Sequence, residues 1–160
     1  MAGAAEEARR RGYDTILVDE PVTGEAREIA PRWLAQARER VGHRRRVCLV
    51  SSGETTVRVT GSGRGGRNLE FALSLAEPVA AWAQAALCSI GTDGIDGSSG
   101  VAGGMVDASS LARAHAAGLP GPDHFLAAND SLAFFAPLGD TVHLGRTDTN
   151  VGDIQVLLID

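Results

Sequence analysis

Eight residues carry the densest chemical signal in the chain: Gly61-Ser62-Gly63-Arg64-Gly65-Gly66-Arg67-Asn68, with four glycines and two arginines. A strand-like run, Thr56 to Thr60, leads in, and a helix-like run, Asn68 to Glu77, leads out. Glycines let backbone N–H groups approach a ligand closely, and a helix N-terminus adds partial positive charge, so this arrangement suits an anion. A guanidinium matches phosphate or carboxylate oxygens in two places at once, which gives Arg64 and Arg67 a role beside Gly63, Gly65, Gly66 and Asn68. The pattern alone is unspecific. Gly61, Gly63 and Gly66 satisfy G-x-G-x-x-G, and Arg67-Asn68 stands where a P-loop has Lys-Ser/Thr. A tight surface turn with solvated arginines is the bland alternative.

A second loop, Gly91 to Gly100, follows the apolar run Ala86–Ile90. Ligands of α/β proteins bind at the carboxyl ends of strands. Asp93 and Asp96 there could hold Mg²⁺ or orient a hydroxyl, although their spacing does not fit an EF-hand. Aspartate before glycine also makes Asx-turns, and that alternative stands equally. A third polar loop runs from Gly145 to Asn150, and Asn129-Asp130-Ser131 supplies N-cap residue types for a short helix.

The elements that must position these loops are readable from periodicity. Residues 15–18, 47–50, 86–90 and 154–159 are continuous apolar runs, as in strands covered on both faces. Residues 55–60 are rich in β-branched types, and the short link from 47–50 predicts an antiparallel hairpin turning at Ser51–Glu54. That hairpin speaks against a dinucleotide-binding βαβ unit. Helical patterns cover residues 4–11, 24–42, 68–77, 108–117, 122–128 and 131–135. The expected fold is α/β, three layers α/β/α, with a mixed sheet that includes the hairpin.

A length of 160 residues fits one domain, and a net charge of −5 with 4% aromatic residues argues against nucleic acid as partner. All 15 basic residues are arginine, so no reaction here can use a lysine of this chain. Cys48 and Cys88 lie in apolar runs outside any C-x-x-C, which reads as two reduced, inert thiols. The four histidines have no metal-ligand spacing. No apolar run is long enough to span a membrane, and a cytoplasmic location is expected.

Five ordered stretches together resemble the MOFRL domain, the C-terminal part of the glycerate 2-kinases also called the hydroxypyruvate reductase or tartrate-utilisation type. They are Ser52-Gly53-Glu54-Thr55-Thr56-Val57, Gly63 to Asn68 with Glu70, Gly91 to Gly97, Asn129-Asp130-Ser131, and Thr149-Asn150-Val151 with Asp153. The resemblance covers residues 46–160, with residues 1–45 as a strand and helix continuing from a missing N-terminal domain. It implies ATP and Mg²⁺ as cofactors and phosphorylation of D-glycerate, a small hydroxy acid, in a cleft between two domains. It assigns Arg67 to the active site and points to a lysine from the first domain. Asp93 would act with Arg67 in catalysis. Gly63, Arg64, Gly65, Gly66, Asn68, Asp96, Thr149 and Asn150 would bind phosphate or substrate. The chain departs from the pattern at Ser51-Ser52-Gly53, at Ser98-Ser99-Gly100 and at Asp148, where a glycine is usual. An NAD(P)-dependent reductase and a non-catalytic anion-binding module are the alternatives, and the chain alone is expected to fold but not to catalyse.

Overall fold

The structure, a computed structural model, describes residues 1–160. Six strands form one mixed sheet: β1 (Asp14–Glu25), β2 (Val47–Thr56), β3 (Ala85–Gly91), β4 (Gly103–Asp107), β5 (Thr141–Val142) and β6 (Asp153–Ile159). Their order across the sheet is β1-β2-β6-β3-β4-β5. Only β1 and β2 run parallel; every other neighbouring pair is antiparallel. β3 and β6 bury alternate residues, with Leu87 and Leu157 on the heavily covered face. Period-two burial of this kind is what the pleat imposes on a strand whose two faces differ.

Helix α1 (Ala2–Arg10) lies against β1 and β2 on one face, where Ala8 meets Cys48 and Val50. The remaining helices cover the other face: α2 (Ala26–Val41), α3 (Arg67–Ser74), α4 (Ala76–Ala80), α5 (Ser110–Ala116), α6 (Pro122–Ala127) and α7 (Ser131–Phe135). The expected α/β/α layering and mixed sheet are therefore present, with very unequal outer layers. In α2 the buried positions Ala26, Ala30, Trp33, Leu34, Ala37 and Val41 follow helical spacing. Pro31 sits inside this helix, and the helix continues through it. Trp33 donates its indole N–H to Ser51 at 2.9 Å, and Ser51 donates to Gln155 at 3.0 Å. This buried polar chain ties α2 to β2 and β6.

The predicted hairpin is absent. Residues 47–56 form one strand, paired with β1 on one side and β6 on the other. Gly53 explains the misreading. A β-carbon there would lie 2.0 Å from the carbonyl oxygen of Val22, in the irregular stretch where β1 slips register between Val18 and Val22. The glycine serves close backbone approach inside a strand, not a turn. Residues 57–66 are not a strand, and Val59 is 72% exposed. Strand β4 had no strand signal because it opens on Gly103-Gly104. A side chain at Gly104 would press on Leu69 and Phe135.

Candidate functional site

The segment 57–66 crosses the carboxyl end of β2 and enters α3, and it owes its shape to neighbours rather than to left-handed turns. None of Gly61, Gly63, Gly65 or Gly66 has a positive φ. A β-carbon would instead strike Ala128 at Gly61, Asp130 at Gly63, the Ser131 hydroxyl at Gly65 and Asp96 at Gly66, all within 2.4 Å. The glycines let the loop thread between two other segments.

Most of its amides are already satisfied. Arg58 donates to Glu25, Thr60 and Gly61 to Asn129, Gly63 to the carbonyl of Ala128, and Arg64 to Asp130. At the start of α3, the amides of Asn68 and Leu69 bond the two oxygens of Asp96 at 3.0 and 2.9 Å. Asp96 is thus the acidic cap of α3, supplied from another loop. Gly66 and Arg67 keep amides with no protein acceptor. The sequence-based anion site contracts to these two N–H groups and the Arg67 side chain.

Arg67 is fixed by Asp153, which is fully buried at the start of β6. Arg67 Nε and Nη2 donate to its two oxygens at 2.7 and 2.9 Å. That fork holds the guanidinium plane, raises the Arg67 pKa further above its ordinary value, and leaves the other N–H groups free. Asn68 is buried beneath, donating to Asp153 at 3.0 Å and to Asp96 at 3.3 Å, and accepting from Ser89 at 2.7 Å. Its amide is fully used, so it spaces two acids and has nothing left for a ligand. Burial pushes Asp96 up to about 6, while the hydrogen bonds from Asn68 and Leu69 pull the other way.

Arg67 borders a polar cleft of about 860 Å³, whose walls also include Thr23, Glu54, Thr55, Gly63, Gly65, Gly66, Glu70, Ser98 and Asn129. Its volume is in the range of small-molecule sites. Arg64 is not in the cleft wall; its guanidinium lies on the carbonyls of Ser98 and Ser99. Asp93, Thr149 and Asn150 line a separate pocket of about 270 Å³ with Ile95, Arg146 and Asp148. One Asp93 oxygen accepts from the amide of Ile95 at 3.2 Å, an Asx-turn, and the other has no protein donor. Of the predicted residues, Gly63, Gly65, Gly66 and Arg67 line the cleft, Asp93, Thr149 and Asn150 line the second pocket, and Arg64, Asn68 and Asp96 line neither, so Asp93 and Asp96 do not form a pair.

No three His, Cys, Asp or Glu side chains gather to hold a metal by themselves. A single carboxylate such as Asp93 still suits Mg²⁺, which keeps waters and takes phosphate oxygens. Burial raises both thiols, Cys88 to about 11, so neither is a thiolate nucleophile at neutral pH. In the sequence Asp153 and Glu70 stand out only as the ends of motifs, and Asn129 only as a cap candidate and a motif member. Asp130 sits at the N-cap position of α7 without a capping bond; its carboxylate takes the amide of Arg64 instead.

The MOFRL family model matches residues 47–153. The chain is 38% identical to the D-glycerate 2-kinase of Thermotoga maritima over 157 residues, covering 95% of this chain and 37% of that protein. It is 39% identical over 168 residues to an Agrobacterium vitis protein bearing a hydroxypyruvate reductase name, covering 99% of this chain and 37% of that one. The crystal structure of a Thermotoga maritima glycerate kinase superposes with a TM-score of 0.90 at 36% identity, covering 99% of this chain and 39% of that one. The chain thus spans well under half the length of the relatives it matches, and it belongs to the MOFRL family of the glycerate kinases.

Proposed function

We propose that this chain is the C-terminal part of a glycerate 2-kinase, forming one wall of the cleft in which a phosphoryl group passes to D-glycerate. The observation that carries this reading is the Arg67 guanidinium, clamped by Asp153 in the wall of a polar cleft beside two unpaired amides. Phosphoryl transfer asks for positioning and charge neutralisation more than covalent chemistry. Arg67 fits that need because its orientation is set before any ligand arrives. Gly66 and Arg67 offer their N–H groups to the same oxygens. ATP would supply the phosphoryl group and Mg²⁺ would neutralise part of its charge, with Asp93 the available carboxylate for the metal or for the glycerate hydroxyl proton. Asp96 has both oxygens committed to α3 and is the poorer candidate for either task.

The test is kinetic and uses the full-length enzyme. Arg67→Ala lowers kcat by about 10²-fold or more, the scale of losing one positioned electrostatic donor. Arg67→Lys does not restore it, because an ammonium cannot make the two-point contact with Asp153. A rise in KM with kcat unchanged would mean that Arg67 gives only uniform binding, and the assigned role would fall. The reductase name borne by one relative makes NADPH the control ligand: preference for NADPH over ATP would reverse the reading.

A further inference from the structure

Asn129 joins segments that lie far apart in sequence. Its Oδ1 accepts from the amides of Thr60 and Gly61, each at 2.8 Å. Its Nδ2 donates to Glu70 at 2.6 Å and to the carbonyl of Arg58 at 3.3 Å. Glu70, 1% exposed on α3, is held in turn by Arg27 of α2, whose Nε and Nη2 donate to its other oxygen at 3.1 and 2.6 Å. The result is an unbroken chain from Arg27 through Glu70 and Asn129 to the start of the glycine loop. A carboxylate this deeply buried is tolerated only when both oxygens are partnered, and here both are. Asn129 is itself 4% exposed and adopts a φ of +51°, a conformation that asparagine accepts more readily than most residues. Since α7 has only five residues and receives no side-chain cap, helix capping does not account for Asn129.

We propose that Asn129, oriented by Glu70 and Arg27, is the positioning residue that holds the glycine loop in its ligand-binding shape. The loop has no ladder of its own between residues 57 and 66, and this one amide takes two of its N–H groups and one carbonyl. The functional part of the inference rests on the loop being a phosphate-binding wall; the positioning part rests on the hydrogen bonds alone.

The experiment is amide hydrogen exchange on the ¹⁵N-labelled chain, with MgATP titrated in the same spectra and followed at Gly65 and Gly66. Asn129→Gly removes the side chain while keeping a residue at ease with positive φ. Exchange at Thr60 and Gly61 should accelerate about tenfold or more, and MgATP affinity should fall about tenfold, the scale of one or two net hydrogen bonds. Amides of β6 should keep their protection. The double variant Glu70→Gln/Asn129→Asp reverses the donor and acceptor between the two side chains, gives up the bond to the Arg58 carbonyl, and should restore most of the protection at Thr60 and Gly61, whose acceptor oxygen it keeps. Parental exchange in Asn129→Gly, or no restoration in the double variant, overturns the positioning role. Faster exchange with unchanged MgATP affinity leaves the positioning role standing and overturns the phosphate-wall reading. If Asn129→Gly does not fold, the double variant alone decides: protected amides support the proposal and accelerated ones overturn it.

Discussion

Asp153 determines what Arg67 can do. A solvated arginine is a mobile charge, whereas one forked onto a buried carboxylate is a fixed plate with its remaining donors aimed one way. Asp96 shows the same logic at the N-terminus of α3, where its carboxylate takes the two amides that the sequence offers to a ligand. Its titration gives a measurable sign. The folded protein holds the Asp96 proton up to a pH of about 6, above the ordinary aspartate value of 3.8, because burial disfavours the charge. A raised pKa contributes stability that is complete below the unfolded value and is lost as pH rises through the folded one. The parent should therefore lose stability relative to Asp96→Asn between about pH 4 and pH 6. Parallel Tm profiles for the two across that window would show that the hydrogen bonds from Asn68 and Leu69 cancel the burial effect. Neither pairing was legible in the sequence, since Arg67 and Asp153 are 86 positions apart and Asp96 lies 28 positions from Asn68, whose amide it accepts from. Residue types were visible; partners were not.

Periodicity located the strands because apolar runs with β-branched residues carry their own signal, but of the four runs only 47–50 is covered on both faces: β1 is an edge strand with Leu17 exposed, and β3 and β6 bury alternate residues. It failed at Gly53, where glycine marks close approach rather than a turn, and at β4, whose two leading glycines hide a strand. The glycine loop was recognised as important for a reason only partly right: its glycines are required by contacts with Ala128, Asp130, Ser131 and Asp96, which only the fold brings near. This distinction is testable on stability alone. Gly53→Val forces a β-carbon into the Val22 backbone and should destabilise by about 3 kcal/mol, at the upper end of overpacking costs. Gly3→Ala, in α1 with nothing within 4 Å of the new methyl group, should stabilise by about 0.5–1 kcal/mol. Denaturant melts of the two variants check both signs; a Gly53→Val chain as stable as the parent would mean that β1 can move off β2 at little cost.

At the scale of the molecule, the cleft holds too little positive charge for the chemistry proposed for it. Its one arginine is already paired with Asp153, and Glu54 lies 3.8 Å away on the same wall. A triphosphate would need cations that these walls do not supply, and the chain has no lysine to offer. The relatives that share this domain are more than twice as long. We therefore expect the purified 160-residue chain to fold, to bind MgATP weakly, and to form no 2-phosphoglycerate. Folding follows from the main core cluster, which runs from β1 and α2 through α3 to β6. Weak binding follows because charge contacts on a wall open to water are screened, and they strengthen only when a second wall excludes solvent. Joining the chain to the N-terminal part of a longer relative, fused or in trans, should restore turnover, and Arg67→Ala in that assembly should abolish the gain. Robust ATP-dependent phosphorylation of D-glycerate by the chain alone would overturn this expectation, and would mean that Arg67 and the amides of Gly66 and Arg67 suffice for charge neutralisation after all.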